Sequence, residues 1–397
     1  MADPAFPCTR QEALHRLDAF LPRAGRAYAA RRNLDEGPGS RTTVSELSPA
    51  VRRRLVSEEE LARAAVAAHG LGAAEKFVQE VCWRSYWRGW LEQRSAVWRH
   101  YLAEVAAGEA WLAREPGLAA AYGAALGART GIDAFDGWMR ELAETGYLHN
   151  HARMSFASIW IFTLRLPWAL GAAHFYHHLL DACPASNTLS WRWVAGLQTQ
   201  GKTYLARADI IRKVSGGRFR VEAPLASSAP PLAAEPPAPR VPLPSPAPPD
   251  ASLRTGLWIT TEDLSPETVA LPPIAAISAV DGIGGDPSPL KRAHANAGLD
   301  DACSRAATHF NAPVTRLPEA DTEAALLAWA SAERLRQVVT LHAPVGPVAD
   351  RIASAAGALA SAGITLVQVL RFWDARAWPH ASRGFFQFRQ HIPDLLA

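Results

Sequence analysis

The stretch LLDACPASNTLSWRW, residues 179–193, sets an acid at Asp181, an amide at Asn187 and indoles at Trp191 and Trp193 among mainly small, uncharged residues. Together they offer a carboxylate acceptor, a carboxamide that can donate or accept, and two broad apolar ring faces. Upstream, TGYLHNHARM places Asn150, Arg153 and Met154 at i, i+3 and i+4, so on a helix the three share one face. A different chemistry is suggested by GLQTQGKT, Gly196 to Thr203, which satisfies the phosphate-loop pattern G-x-x-x-x-G-K-[ST] in full. Alone it points to an NTPase, with SWRWVA before it passing for a strand and Asp281 offering a magnesium carboxylate. Such a loop should open a βαβ unit, however, and here SGGRF and then a run of prolines follow. The glycine cluster DGIGGD, residues 281–286, reads as a turn after a strand, with a small ligand at that strand's end as the alternative. Cys8, Cys82, Cys183 and Cys303 are spread along the chain without close pairs, so neither a structural metal nor a disulfide framework is expected.

The elements that must position these residues fall into two parts. Residues 223–250 hold eleven of the thirty prolines and read as an extended, semi-rigid spacer. Residues 8–222 before it carry helical periodicity: SEEELARAAVAAHGLGAAEKFVQEVCWRSYWRGWLEQR opens with Ser57 and Glu60 at capping-box spacing and continues with apolar residues every three or four positions. No strand ladder is evident there, and an all-α domain is expected. In residues 251–397, short runs such as TGLWITTEDL, PIAAISAVDG, RQVVTLHAPV and GITLVQVLRF alternate with helical segments, which implies a small doubly wound parallel α/β domain.

The chain is 49% apolar and 20% charged, as expected for a soluble globular protein, and no apolar run is long enough to span a membrane. MADPAFPCTRQEALHRL lacks the charged and apolar regions of a secretory signal, so a cytoplasmic location is expected. Residues 1–220 hold 28 Lys and Arg against 21 Asp and Glu, whereas the remainder holds 13 against 17. The basic part suits a polyanion, although solubilising helix faces would account for the same excess. Ten of fourteen tryptophans fall within residues 83–193; a bulky helical interior would use them, but their positions relative to polar residues suggest a further role.

Four segments recur in order in one family. YAARRNLDEGPGSRTTVSELSPAV, FVQEVCWRSYW, TGYLHNHARM and LLDACPASNTLSWRW resemble the motifs of the photolyase/cryptochrome flavoproteins. The resemblance implies an all-α FAD-binding domain with Arg153 paired to Asp181 beside the flavin ring and Asn187 against its reactive nitrogen. It further implies that Ser45, Ser48 and backbone amides around Leu47 bind the flavin diphosphate, with Tyr28 and Arg84 nearby. Trp83 and Trp193 match the indoles that wall a flipped pyrimidine dimer, Glu80 and Asn150 its polar contacts, and Met154 a packing residue typical of enzymes acting on cyclobutane dimers. Trp191 and Trp168 match the inner and middle members of an electron relay, with Trp111 taken as the outer one. Lys202 and Arg207 then lie near DNA phosphates or on the surface.

Departures from the family pattern are Cys183 for an acid, Val44 for a threonine, and Leu189 and Ser190 for glycines. LWITTEDL and WPHASRGFFQFRQHIPDLL are similar to the first strand and closing segment of the family's antenna domain, so a circular permutation is expected, without an assignable antenna chromophore. The resemblance thus implies a monomeric, light-driven lyase that repairs cyclobutane dimers in DNA. The alternative is a cryptochrome-like photoreceptor without repair activity.

Overall fold

The structure, a computed structural model, describes residues 6–233, 238–282 and 284–397; four residues of the proline-rich segment and Ile283 of the glycine cluster lie outside the described residues. In chain order the helices are α1 (Arg10–Phe20), α2 (Arg26–Arg31), α3 (Ser48–Arg52), α4 (Glu58–His69), α5 (Leu71–Glu92), α6 (Ala96–Arg114), α7 (Pro116–Leu126), α8 (Asp133–Thr145) and α9 (Asn150–Ser158). They continue with α10 (Trp168–His178), α11 (Pro184–Val194), α12 (Ala208–Val214), α13 (Pro289–Phe310), α14 (Thr322–Ala332), α15 (Pro347–Ser361), α16 (Phe372–Ala377), α17 (Phe385–Phe388) and α18 (Ile392–Leu396). The strands are β1 (Thr255–Ile259), β2 (Ile274–Val280), β3 (Val314–Leu317), β4 (Gln337–Leu341) and β5 (Thr365–Val369). Among the described residues no strand precedes β1, as the helical periodicity implies.

The five strands form one parallel sheet in the order β3-β2-β1-β4-β5. Every residue of β1 and β4 is buried, which is why these strands read as continuous apolar runs rather than alternating ones. Trp258, Val338, Leu326, Trp329 and Ile352 pack together where α14 and α15 cover the sheet.

Compactness divides the chain differently from the boundaries expected at 222 and 251. One unit comprises Met1–Pro22, Leu47–Gln93 and Val241–Ala397; the other comprises Arg23–Glu46 and Arg94–Arg240. In the first, α5 joins the C-terminal segment as part of one core. A Cβ on Gly89 would stand 2.7 Å from the Trp378 ring, so only glycine permits that approach. Trp373 Nε1 donates to Ser85 Oγ at 2.9 Å, and Tyr86 Oη donates to the Arg383 carbonyl at 2.7 Å. Beneath them lies a buried charge network. Arg52 grips both oxygens of Glu262 at 2.6 Å, Arg54 grips Asp374 at 2.8 and 2.6 Å, and Arg371 holds Asp263 at 2.5 and 2.7 Å. Buried charges are tolerated when paired in this way. Sequence periodicity cannot register such pairing, because its partners lie more than a hundred residues apart.

The second unit also carries longer-range ties. The first part of the proline-rich segment is laid along this unit rather than free of it: Ala226 N donates to Thr163 Oγ1 at 3.0 Å, Thr203 Oγ1 donates to the Ala229 carbonyl at 2.7 Å, and Leu232 N donates to the Ala195 carbonyl at 3.1 Å. Prolines cannot donate, so the intervening residues provide these bonds. The phosphate-loop reading fails here. SWRWVA lies on α11 and its C-terminal cap instead of a strand, and no helix begins until Ala208. Gly196 and its neighbours form a turn closed by the proline-rich segment, with Pro231 in contact distance of a Cβ at Gly196.

Candidate functional site

Helix α9 begins where His149 caps it, its Nδ1 accepting from His151 N at 3.2 Å and its Nε2 facing the Arg32 carbonyl at 3.0 Å. Those partners select the tautomer with the proton on Nε2. Burial drives the His149 pKa down to about 4, so the ring is neutral near pH 7. One turn later Arg153 extends from the helix, its Nε donating to the Leu148 carbonyl at 2.8 Å. Its two terminal nitrogens meet both oxygens of Asp181 at 2.9 and 2.8 Å. This is the planar fork geometry that makes arginine–carboxylate pairs strong and directional. Burial works against the arginine's charge, but the Asp181 carboxylate overrides it and keeps the guanidinium protonated.

The pair is backed by an aromatic residue that the motif reading did not single out. The Tyr147 ring lies 5.3 Å from the Arg153 guanidinium and 5.0 Å from that of Arg41. Arg41 in turn binds Asp35 at 3.2 Å and also Glu141, while Arg218 reaches Asp35 at 2.6 Å. Tyr147 sits inside the TGYLHNHARM motif and Arg41 inside GPGSRTTV, yet only tertiary packing brings them together.

Helix α11 supplies the amide and the inner indole. Its cap is Cys183, whose Sγ accepts from Ser186 N at 3.3 Å, so a thiol occupies the place of the family's acid and serves the helix start. Asn187 is buried, and its Nδ2 donates to the Ala172 carbonyl at 2.8 Å, which leaves the amide oxygen outside that bond. Trp191, one turn on, is buried against Phe175 at 5.1 Å, and its Nε1 has no protein acceptor. Trp193 is half-buried and stacks with Tyr204 at 6.2 Å. Asn150 is exposed at the start of α9, with its Nδ2 3.9 Å from Met154 Sδ.

The other expected residues are distributed as follows. Trp168 opens α10, donates from Nε1 to Glu104 at 3.2 Å and meets the Tyr101 ring at 5.8 Å. Trp111 is 45% exposed on α6, and Tyr28 is half-buried on α2. Ser45 precedes α3 and is half-buried. In the first unit, Leu47 is buried and Ser48 exposed at the start of α3. Glu80, Trp83 and Arg84 share a face of α5, at i, i+3 and i+4. Arg84 is engaged there, its Nε 3.0 Å from Glu58 and its Nη2 donating to the Arg52 carbonyl at 3.1 Å. One finding had no counterpart in the motifs: the Trp83 ring lies flat against Phe385 of α17, centroids 3.8 Å apart and planes 12° from parallel.

The FAD binding domain of DNA photolyase matches residues 77–218. A deoxyribodipyrimidine photo-lyase of Streptomyces griseus is 36% identical over 181 residues, 42% of this chain and 38% of that protein. One from Thermus thermophilus is 33% identical over 211 residues, 51% of this chain and 47% of that protein. A crystal structure of a bacterial class III photolyase from Agrobacterium tumefaciens matches at 24% identity with a TM-score of 0.40, covering 52% of this chain and 43% of its own. The chain spans less than half the length of the curated relatives it matches.

Residues 77–218 of the helical region thus match the FAD binding domain of DNA photolyase, and FAD is the cofactor that this match supports. The residues present suit a flavin: a buried carboxylate fixed by a bidentate arginine, a buried amide anchored through its nitrogen, and an indole N–H without a protein acceptor. Among the described residues no cluster of His, Cys, Asp and Glu could hold a metal, and no helix is long and apolar enough to cross a membrane.

Proposed function

We propose that the protein repairs cyclobutane pyrimidine dimers in DNA under blue light. The observation that carries this reading is the Arg153–Asp181 pair with Asn187 anchored nearby in sequence on α11, and with Asn150 and Met154 on the same helix as the arginine. Reduced FAD, when bound, would supply the light-driven one-electron chemistry that opens the cyclobutane ring without net redox change. The protein's own residues do the rest by position. Arg153 fixes Asp181, whose carboxylate would hold the flavin's polar edge, and Asn187 would present its amide to the ring. Glu80 and Asn150 hydrogen-bond the edges of the flipped bases, while Trp83, Trp193 and Met154 supply apolar walls that favour an extruded base over water. Ser45, Ser48, the amides near Leu47 and Tyr28 hold the diphosphate, and Arg84 orders α3 through its bond to the Arg52 carbonyl. The α/β sheet is read as a permuted antenna-type domain, which its parallel β3-β2-β1-β4-β5 order supports.

A second reading is a blue-light receptor that binds FAD without repairing DNA. It is favoured by one observation, the stacking of Phe385 on Trp83, which occupies a ring face that the repair reading offers to a base. Repair of an oligonucleotide carrying one thymine dimer, by FAD-loaded protein under reducing conditions, decides between them. Light-dependent repair that falls at least tenfold in Glu80→Ala, with FAD content unchanged, supports the lyase. Bound FAD with no repair in light supports the receptor.

A further inference from the structure

Trp191 touches a second line of aromatic rings to which neither Trp168 nor Trp111 belongs. Its ring meets Trp160 edge to face, centroids 6.3 Å apart at 88°, and Trp160 meets Tyr122 in the same manner at 5.8 Å and 87°. Trp160 is wholly buried whereas Tyr122 is half-buried, so the rings lead from the core of their unit outward. Trp168 instead meets Tyr101, which meets Trp98 at 5.1 Å, and all three of those rings are buried.

Two features hold the outward line together. A Cβ on Gly171 would stand 2.4 Å from Cη2 of Trp191 and 2.9 Å from Cε2 of Trp160, so the bare glycine is what lets the two indoles converge. Trp160 itself sits in a π-helical turn, Ile159–Thr163, a local widening of the kind often found at functional positions. Its Nε1 donates to the Pro167 carbonyl at 2.9 Å. That amide oxygen is a poor proton acceptor, so an oxidised Trp160 keeps its proton and remains able to take an electron from the next ring.

We propose that Tyr122 is the terminal electron donor of a branch, Tyr122 to Trp160 to Trp191, that restores Trp191 after it is photo-oxidised. The inference rests on the reading in which Trp191 adjoins the flavin. One electron leaves Trp191 for light-excited oxidised FAD, one passes from Trp160 to Trp191, and one from Tyr122 to Trp160. The phenolic O–H bond breaks with the last transfer, its proton going to water at the half-buried hydroxyl. An external thiol then returns one electron and one proton to Tyr122, and two such thiols end as a disulfide. Burial, with the Glu109 carboxylate second, raises the Tyr122 pKa, so the phenol carries its proton until oxidation removes it. A tyrosine ends the line well for that reason, since loss of the proton to solvent makes the return of the electron slow.

The test uses FAD-loaded protein illuminated without oxygen in the presence of a thiol. Flavin reduction is followed by absorbance, and the radical trapped by freezing is identified by electron paramagnetic resonance. Wild type is expected to give a tyrosyl radical that disappears in Tyr122→Phe and Trp160→Phe, with flavin reduction slowed several-fold in both. Tyr122→Phe removes one hydroxyl at a half-buried position and so keeps the fold where Trp160→Phe leaves a cavity. A tyrosyl radical that survives in Tyr122→Phe, or undiminished photoreduction in both variants, overturns the branch while leaving the flavin reading intact. Trp191→Phe separates the two levels: photoreduction lost there supports Trp191 as the inner donor, and photoreduction retained there overturns both.

Discussion

Two buried arginine–carboxylate constellations serve different ends. Around Arg54, which is 2% exposed, the carboxylates of Glu58, Asp263 and Asp374 close the arginine in on every side. The Arg153 side chain is 25% exposed while its partner Asp181 is only 6% exposed. The chemistry is the same fork-to-carboxylate geometry, but only the second retains an accessible side. A fully enclosed ion pair can contribute to the fold and to little else, since no ligand reaches it without breaking it. A pair with one accessible edge can take a ligand without first being broken. The difference suits the Arg54 network to holding α3–α5 against the C-terminal segment, and suits the Arg153 pair to the cofactor contact proposed for it.

The largest expected effect breaks the closed network. Arg54→Met strips buried Asp374 of its arginine and takes one cation from Glu58 and Asp263, and should cost about 3–5 kcal/mol of stability. The check is a denaturant midpoint measured on apo protein. Arg153→Met should behave in the opposite sense: FAD affinity, measured by flavin fluorescence titration, falls at least about tenfold, or about 1.4 kcal/mol. Its denaturant midpoint should move less than half as far as that of Arg54→Met, because the site's exposed side lets water solvate Asp181. Equal midpoint shifts with unchanged FAD affinity in Arg153→Met would erase the distinction between closed and open pairs.

Much of this was legible before the structure, for local reasons. Ser57 and Glu60 cap α4 through the reciprocal bonds their spacing implies, at 2.8 and 3.2 Å. The i, i+3, i+4 spacing put Asn150, Arg153 and Met154 on one helix, and the apolar runs after residue 251 became five parallel strands. What escaped reading depends on pairs distant in sequence. Arg54 finds Asp374 across 320 residues, and Trp83 finds Phe385 through a stack that no periodicity encodes. Likewise, Gly171 is ordinary in a helical sequence until Trp191 and Trp160 are seen to converge on it. The phosphate-loop pattern erred the other way: its eight residues match perfectly, but the strand that gives the pattern its meaning is a helix here.

Acid should take the two constellations apart in sequence, the smallest effect coming first. His149, whose Nδ1 and Nε2 anchor the start of α9, has its pKa lowered from 6.5 to about 4 by burial, against the pull of Asp35 and with His151 and Arg41 opposing its charge. A histidine depressed in the folded state stabilises the protein above its unfolded value. That contribution is lost as pH falls from 6.5 towards about 4, where the unfolded chain binds a proton that the folded one refuses. The loss from one such group is roughly 1 kcal/mol by about pH 6. The carboxylates of the closed network respond later: Glu58 and Glu262, each lowered from 4.5 to about 2 by neighbouring arginines despite their burial, lose their contribution only as pH falls through that lower window. Denaturant unfolding of wild type and His149→Asn across this range checks the order. His294 and His174 are depressed as well, so the diagnostic quantity is the difference between the two proteins: His149→Asn, which preserves a capping side chain, should show a shallower decline between 6.5 and about 4 and an unchanged decline below it. Parallel curves throughout would show that the neutral ring at the start of α9 has no part in the acid sensitivity of the fold.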